Sequence, residues 1–137
     1  MASARRRVPL VAAFAGLALL AGCARVVTTG PSAPSRVAGE EEMGTASWYG
    51  SAHQGRRTAS GEVFDMNQLT AAHRTLPFGT RVLVTNRDTS QSTEVRINDR
   101  GPFVKGRILD VSYAAARLLG AVGPGTIPVR MRIISLP

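Results

Sequence analysis

The sequence is short of cysteine, histidine, lysine and aromatic side chains, and each shortage narrows what the chain can be. With a single cysteine, Cys23, no disulfide can close within the chain. The only two histidines, His53 and His73, do not form a metal-ligand spacing, so no metal centre is expected. There is no phosphate-cradling glycine loop and no nucleophile elbow, and no cofactor is expected. Aromatic residues make up 5% of the chain, while 14 glycines and 8 prolines punctuate it. That balance suits a turn-rich β protein better than a helical bundle. No acidic residue precedes Glu40.

What is present is mostly arginine. The 137 residues are enough for one small domain and not two. They carry a formal charge of +8, to which Lys105 is the only lysine contributing. A basic surface favours a polyanionic partner such as nucleic acid, anionic lipid or an acidic polysaccharide, and charge alone does not choose among them.

The N-terminus reads as an address. Arg5-Arg6-Arg7 precedes an apolar run from Val8 to Ala21, broken only by Pro9, and Leu20-Ala21-Gly22-Cys23 follows. A basic start, a short apolar core and small residues before a break form a secretory signal. The run is too short for a membrane span, which needs about 20 apolar residues. Small residues directly before cysteine resemble a bacterial lipobox. That resemblance implies a signal peptide over 1–22, cleavage before Cys23, and an anchor to the membrane through acyl chains on Cys23. Two or more chains hold a protein stably where one does so only marginally. Ala24 rather than aspartate follows the cysteine, which in the Gram-negative sorting pattern permits transfer to the outer membrane, facing the periplasm. In other envelopes the anchor would lie in the plasma membrane. A nucleic-acid partner does not fit such an export route, and no recognition motif supports one.

Residues 23–43 are rich in Pro, Ser, Gly and Thr and keep no apolar period, so they read as a flexible tether. Within it, Glu40-Glu41-Glu42 reads as a solvated run. From Gly44 to Pro137 the texture changes. Thr45–Tyr49 reads as a strand ended by Gly50. Arg81–Asn86 and Glu94–Asn98 alternate polar and apolar residues, and Asp88-Thr89-Ser90 between them is turn chemistry, which predicts a hairpin. Arg107–Val111 is a further short strand. Ser112 can cap a short helix over Tyr113–Leu119 that Gly120 ends, with Ala115, Leu118 and Leu119 as its apolar stripe. Ile127–Ile134 is the last strand, with Val129, Met131 and Ile133 on one face. Six or so short strands and one or two short helices predict a mainly β fold closed into a barrel, which removes exposed sheet edges.

Three polar residues stand out as candidate catalytic groups. Glu62 follows Ser60-Gly61 in a glycine-rich loop, His73 follows Thr70-Ala71-Ala72, and Asp99 opens Asp99-Arg100-Gly101-Pro102 at a strand end. An acid aimed by a rigid strand into a loop-lined space can take part in general acid–base work, and glycosidic bonds are what carboxylate pairs most often cut. Each residue also has an ordinary reading: Asp99 accepting loop N–H bonds, Glu62 a solvated loop acid, His73 a satisfied core histidine. Trp48 and Tyr49 are either core or a stacking platform for sugar rings.

Five blocks decide in favour of function. They are Gly44–Gly50, Arg57–Glu62, Leu69–Thr80, Val95–Phe103 and Gly106–Ser112, and in this order they resemble the rare lipoprotein A (RlpA) family over residues 44–134. The resemblance implies a six-stranded double-psi β-barrel and endolytic transglycosylase activity on peptidoglycan. That activity cuts between N-acetylmuramic acid and N-acetylglucosamine, leaves 1,6-anhydro ends, and prefers strands stripped of stem peptides. It places the functional acids and histidine on Glu62, Asp99 and His73, with either Glu62 or Asp99 as proton donor. Arg74, Arg96, Arg100 and Lys105 would meet the lactyl carboxylate of muramic acid. Ser60 departs from the family's usual asparagine, and the C-terminal SPOR domain of many members is not expected here. A non-catalytic, expansin-like wall-binding lipoprotein is the alternative.

Overall fold

A computed structural model describes residues 35–137. The signal, Cys23 and most of the expected tether lie outside the described residues. Six strands close into a barrel: β1 (Glu41–Tyr49), β2 (Thr70–Ala72), β3 (Arg81–Asn86), β4 (Ser92–Asp99), β5 (Arg107–Ser112) and β6 (Thr126–Ser135). Their order around the wall is β1-β5-β2-β4-β3-β6. β1 runs parallel to β5 and β2 parallel to β4, while the remaining neighbours are antiparallel. The helix α1 (Tyr113–Leu119) follows β5 directly, and a single 3-10 turn (Ser51–His53) follows β1.

Alternation explains the barrel's interior. Val82 and Val84 of β3, Val95 and Ile97 of β4, and Val129, Met131 and Ile133 of β6 are all buried. Their neighbours in sequence face out, as period-2 strands require. The predicted hairpin is β3–β4, with Val82 opposite Val95 and Val84 opposite Thr93. Its turn is held by Asn86, whose Oδ1 accepts from the Asp88 N–H at 2.9 Å and whose Nδ2 donates to the Leu119 carbonyl at 2.9 Å. One buried amide therefore ties the hairpin turn to the C-terminus of the helix. At the other end of α1, Ser112 Oγ accepts from the Ala115 N–H at 3.3 Å. Gly120 stops the helix in the left-handed region, at φ 69°.

Three expectations need correction. The ordered chain starts before residue 44: β1 begins at Glu41, and Gly39 N–H already bonds to the Ile133 carbonyl at 2.7 Å. Glu41, Glu42 and Met43 carry no apolar period because this end of β1 lies over solvent, where Glu41 pairs across from Arg132 of β6. Second, the helix buries Ala115, Ala116 and Leu119, while Leu118 is 52% exposed. A seven-residue helix is short enough that its contact face follows the barrel surface and not the largest side chains. Third, β2 is a strand that alternation does not reveal, because all three of its residues are buried.

Removing the Asn86 amide should be costly, since it leaves the Leu119 carbonyl and the Asp88 N–H without it. Asn86→Ala is expected to destabilise the domain by about 1–3 kcal/mol, read as a lower denaturation midpoint with unchanged m-value.

Candidate active site

β2 lies between β4 and β5, and its last residue organises the site. Ala72 is the register partner of Asp99 on β4 and of Asp110 on β5, and Asp110 is in turn opposite Ser47 on β1. Residues opposite one another share a face of the sheet, so Ser47, Asp110, Ala72 and Asp99 form one row on the outside of the barrel. Two strand spacings set the Asp99 and Asp110 backbones about 10 Å apart, with only a methyl group between them.

Asp99 joins this row through an irregularity. Ala71 pairs with Ile97 but Ala72 pairs with Asp99, so Asn98 is an extra residue in β4. Strict alternation from Val95 and Ile97 would turn Asp99 toward the interior. The bulge shifts the phase and returns it to the face that carries Arg96. Asp99 Oδ1 then accepts two N–H groups, from Ala59 at 2.9 Å and from Arg100 at 2.8 Å. Its Oδ2 receives no hydrogen bond from the described residues.

The row floors an open groove of about 320 Å³. Trp48, Tyr49 and His53 line one side, and Arg100 and Arg107 add positive charge. Asp110 Oδ1 is bound by Ser47 Oγ and by Arg107 Nη2. The Tyr49 ring packs on Phe64 at 4.6 Å and on His53 at 5.2 Å. Its hydroxyl is buried with no partner among the described residues. Burial, and then the negative charges of Asp99 and Asp110, push the Tyr49 hydroxyl pKa up, so it stays protonated.

The other expected residues are distributed differently. Glu62 is not among the residues lining this groove. A loop that doubles back at Gly61, where φ is +88°, places it against β4 beyond Asn98. There it makes a bidentate ion pair with Arg96 at 2.7 and 2.9 Å and accepts from Ser60 Oγ at 3.2 Å. The Arg96 hydrogen bonds hold its carboxyl below the ordinary range, against a smaller effect of burial. The same loop reaches the groove, because its Ala59 N–H binds Asp99 and its Ser60 N–H bonds the Asn98 carbonyl at 3.3 Å.

His73 turns away from the groove. It is 3% exposed and lines a separate cavity of about 190 Å³ with Arg36, Glu42 and Ile108. The expectation that Glu42 is merely solvated therefore fails, since its Oε2 lies 3.4 Å from His73 Nε2. Burial pushes the His73 pKa down, with the Glu42 carboxylate opposing it, so the ring is neutral at pH 7.

Arg74 spends its guanidinium on the carbonyls of Pro102, Val104 and Arg107 and clamps the loop after Asp99. Arg100 lies over the Phe78 ring, 3.9 Å from its centroid. Lys105 is exposed on the clamped loop and is not among the residues lining the groove. The residues that sequence reasoning passed over are Asp110, Arg107 and His53. Asp110 carried a signal, as the one acid inside the apolar run Ile108-Leu109-Asp110-Val111.

These features describe a six-stranded double-psi β-barrel with a carboxylate-lined groove across β1, β5, β2 and β4. Solved structures agree on the fold: the Streptomyces papain inhibitor has a TM-score of 0.59 at 20% identity, over 72% of this chain and 97% of that one. The apo form of the Clavibacter michiganensis expansin has a TM-score of 0.57 at 24% identity, over 72% and 52%. The chain belongs to the lytic transglycolase family, whose profile matches residues 41–131. It is 53% identical over 98 residues to the endolytic peptidoglycan transglycosylase RlpA of Vibrio cholerae, covering 72% of this chain and 37% of that protein. It is 59% identical over 91 residues to a probable RlpA of Synechocystis, covering 66% and 28%. The chain thus spans about a third of the length of the curated relatives it matches.

The Glu62–Arg96 pair has a pH signature. Its lowered carboxyl pKa means that it stabilises the fold above the ordinary value of 4.5 and that this contribution is lost as pH falls through the lowered value. Wild type should exceed Glu62→Gln in stability at pH 7, and the gap should close below pH ~4 when both are unfolded in urea.

Proposed function

We propose that this domain is an endolytic peptidoglycan lytic transglycosylase that cuts the bond from N-acetylmuramic acid to N-acetylglucosamine. The observation that carries the reading is the pair Asp99 and Asp110 flanking Ala72 in one open groove. The names of the curated relatives support the substrate.

In this mechanism Asp99 is the general acid and gives a proton from Oδ2 to the glycosidic oxygen as the C1–O bond breaks. Positive charge develops on the muramic ring. Asp110, held by Arg107 and Ser47, faces that charge across the alanine floor. The muramic 6-hydroxyl oxygen attacks C1 and passes its proton to the Asp99 carboxylate. The acid is regenerated, and the products are a free 4-hydroxyl and a 1,6-anhydro end. No water enters the balance. Arg100 and Arg107, which line the groove, meet the lactyl carboxylate, which is free on strands without stem peptides. Glu62 acts one step back, through the loop whose Ala59 N–H orients Asp99.

Acylation of Cys23 would tether the barrel to the envelope membrane, at the outer membrane of a Gram-negative cell. The lipobox residues Leu20–Cys23 and the basic start support that placement. Cys23→Ala should move the protein from the membrane to the soluble envelope fraction and abolish labelling by a fatty-acid analogue.

The test of activity is mass analysis of products from purified denuded glycan. Wild type should release anhydro-ended fragments, and Asp99→Asn should lower kcat by about 10²- to 10⁴-fold. Fragments heavier by one water would indicate a hydrolase. Retention on sacculi without release would indicate a wall-binding module and end the enzymatic reading.

A further inference from the structure

We infer that His73 serves this site as a positioning residue and takes no part in proton transfer: its ring fastens the turn that holds Arg100 and Asp99 in place. The inference rests on the groove of Asp99 being the reactive one. It assigns to a buried histidine outside that groove a role different from that of an acid or base.

The ring's Nδ1 accepts two backbone N–H groups, from Thr75 at 3.1 Å and from Leu76 at 3.0 Å. A nitrogen that accepts from donors carries no proton itself, so the hydrogen of the neutral ring is on Nε2, where Glu42 receives it. Adding a second proton would aim an Nδ1–H bond at two N–H groups and break the turn. Nδ1 therefore cannot act as a base, and Nε2–H points toward Glu42 and Arg36 and not toward the groove. Arg36 is itself paired with Glu40 and Glu42, so the start of the barrel closes over this side of the ring.

What the ring does hold is the backbone. The turn it gathers presents the carbonyls of His73 and Leu76 to Arg100 Nη1, at 3.2 and 2.8 Å. The His73 N–H bonds the Asp99 carbonyl at 3.2 Å, and the Arg100 N–H bonds Asp99 Oδ1. A continuous chain of contacts thus runs from the imidazole through the turn to the guanidinium and the carboxyl that line the groove. A displacement of about 1 Å at reacting groups can cost 10²-fold in rate, so fixing this turn is worth a buried polar ring.

The test exploits atom positions. In asparagine Oδ1 takes the place of Nδ1 and can accept the same two N–H groups, but it has no titratable proton. Glutamine reaches the place of Nε2 and loses the turn. Activity on denuded glycan should survive in His73→Asn within about fivefold, with the same pH–rate profile, and fall by about 10²-fold in His73→Gln. A folded His73→Asn protein that is as inactive as His73→Gln, or one that loses a limb of the pH profile, would overturn the inference. A readout independent of turnover comes from long-range ¹H–¹⁵N NMR of the wild-type ring. It should find the neutral Nε2–H form still dominant at pH 6.5, and an Nδ1–H form there would also overturn the inference. Should wild type release no product at all, the transglycosylase reading falls while the NMR result still decides whether the ring fastens the turn.

Discussion

Strand β2 is only three residues long, yet β4 and β5 reach one another only through it, and the bulge at Asn98 sets which β4 side chains it meets. Parallel pairing with β4 and antiparallel pairing with β5 both end at Ala72. Because register partners share a face, this one position brings two acids from strands separated in sequence onto one surface. Ala72 also keeps the space between them open, where a larger side chain would fill the floor. The acid on β4 reaches the surface only because the extra residue reverses the phase of the strand.

Around that row, three arginines fix loops and strands by hydrogen bonds. Arg74 gathers three carbonyls of the segment after Asp99, Arg96 grips Glu62 with both arms, and Arg107 bridges Ser47 and Asp110. A planar guanidinium with five donors suits such work better than a lysine ammonium, and the chain holds a single lysine. The basic charge that suggests a polyanionic partner is thus partly spent inside the protein. Of the cations expected to meet a carboxylated sugar, Arg100 lines the groove, while Arg74 and Arg96 are engaged elsewhere.

In the proposed mechanism Glu62, His73 and Asp99 divide the labour. Asp99 stands in the groove with one oxygen free of donors from the described residues. Glu62 and His73 approach the same strand end from two sides, Glu62 through the loop at Ala59 and His73 through the turn at Leu76. Both are bound by protein groups that leave them little freedom to exchange protons with a ligand.

Local chemistry in the sequence determined the elements whose signals are local. The β3–β4 hairpin follows from alternation around Asp88-Thr89-Ser90, and α1 from Ser112 and Gly120 acting as caps. The inward face of β6 follows from Val129, Met131 and Ile133. Five ordered blocks, read as a family resemblance, carried the barrel type and singled out Asp99 as a candidate. The tertiary structure alone decided the rest. β2 has no period because all three of its residues are buried, and the start of β1 has none because that end lies over solvent. The partnership of Asp99 with Asp110 depends on register across three strands, and the withdrawal of His73 depends on where a turn folds. Register and burial are relations between segments distant along the chain, and no local pattern of residue types records them.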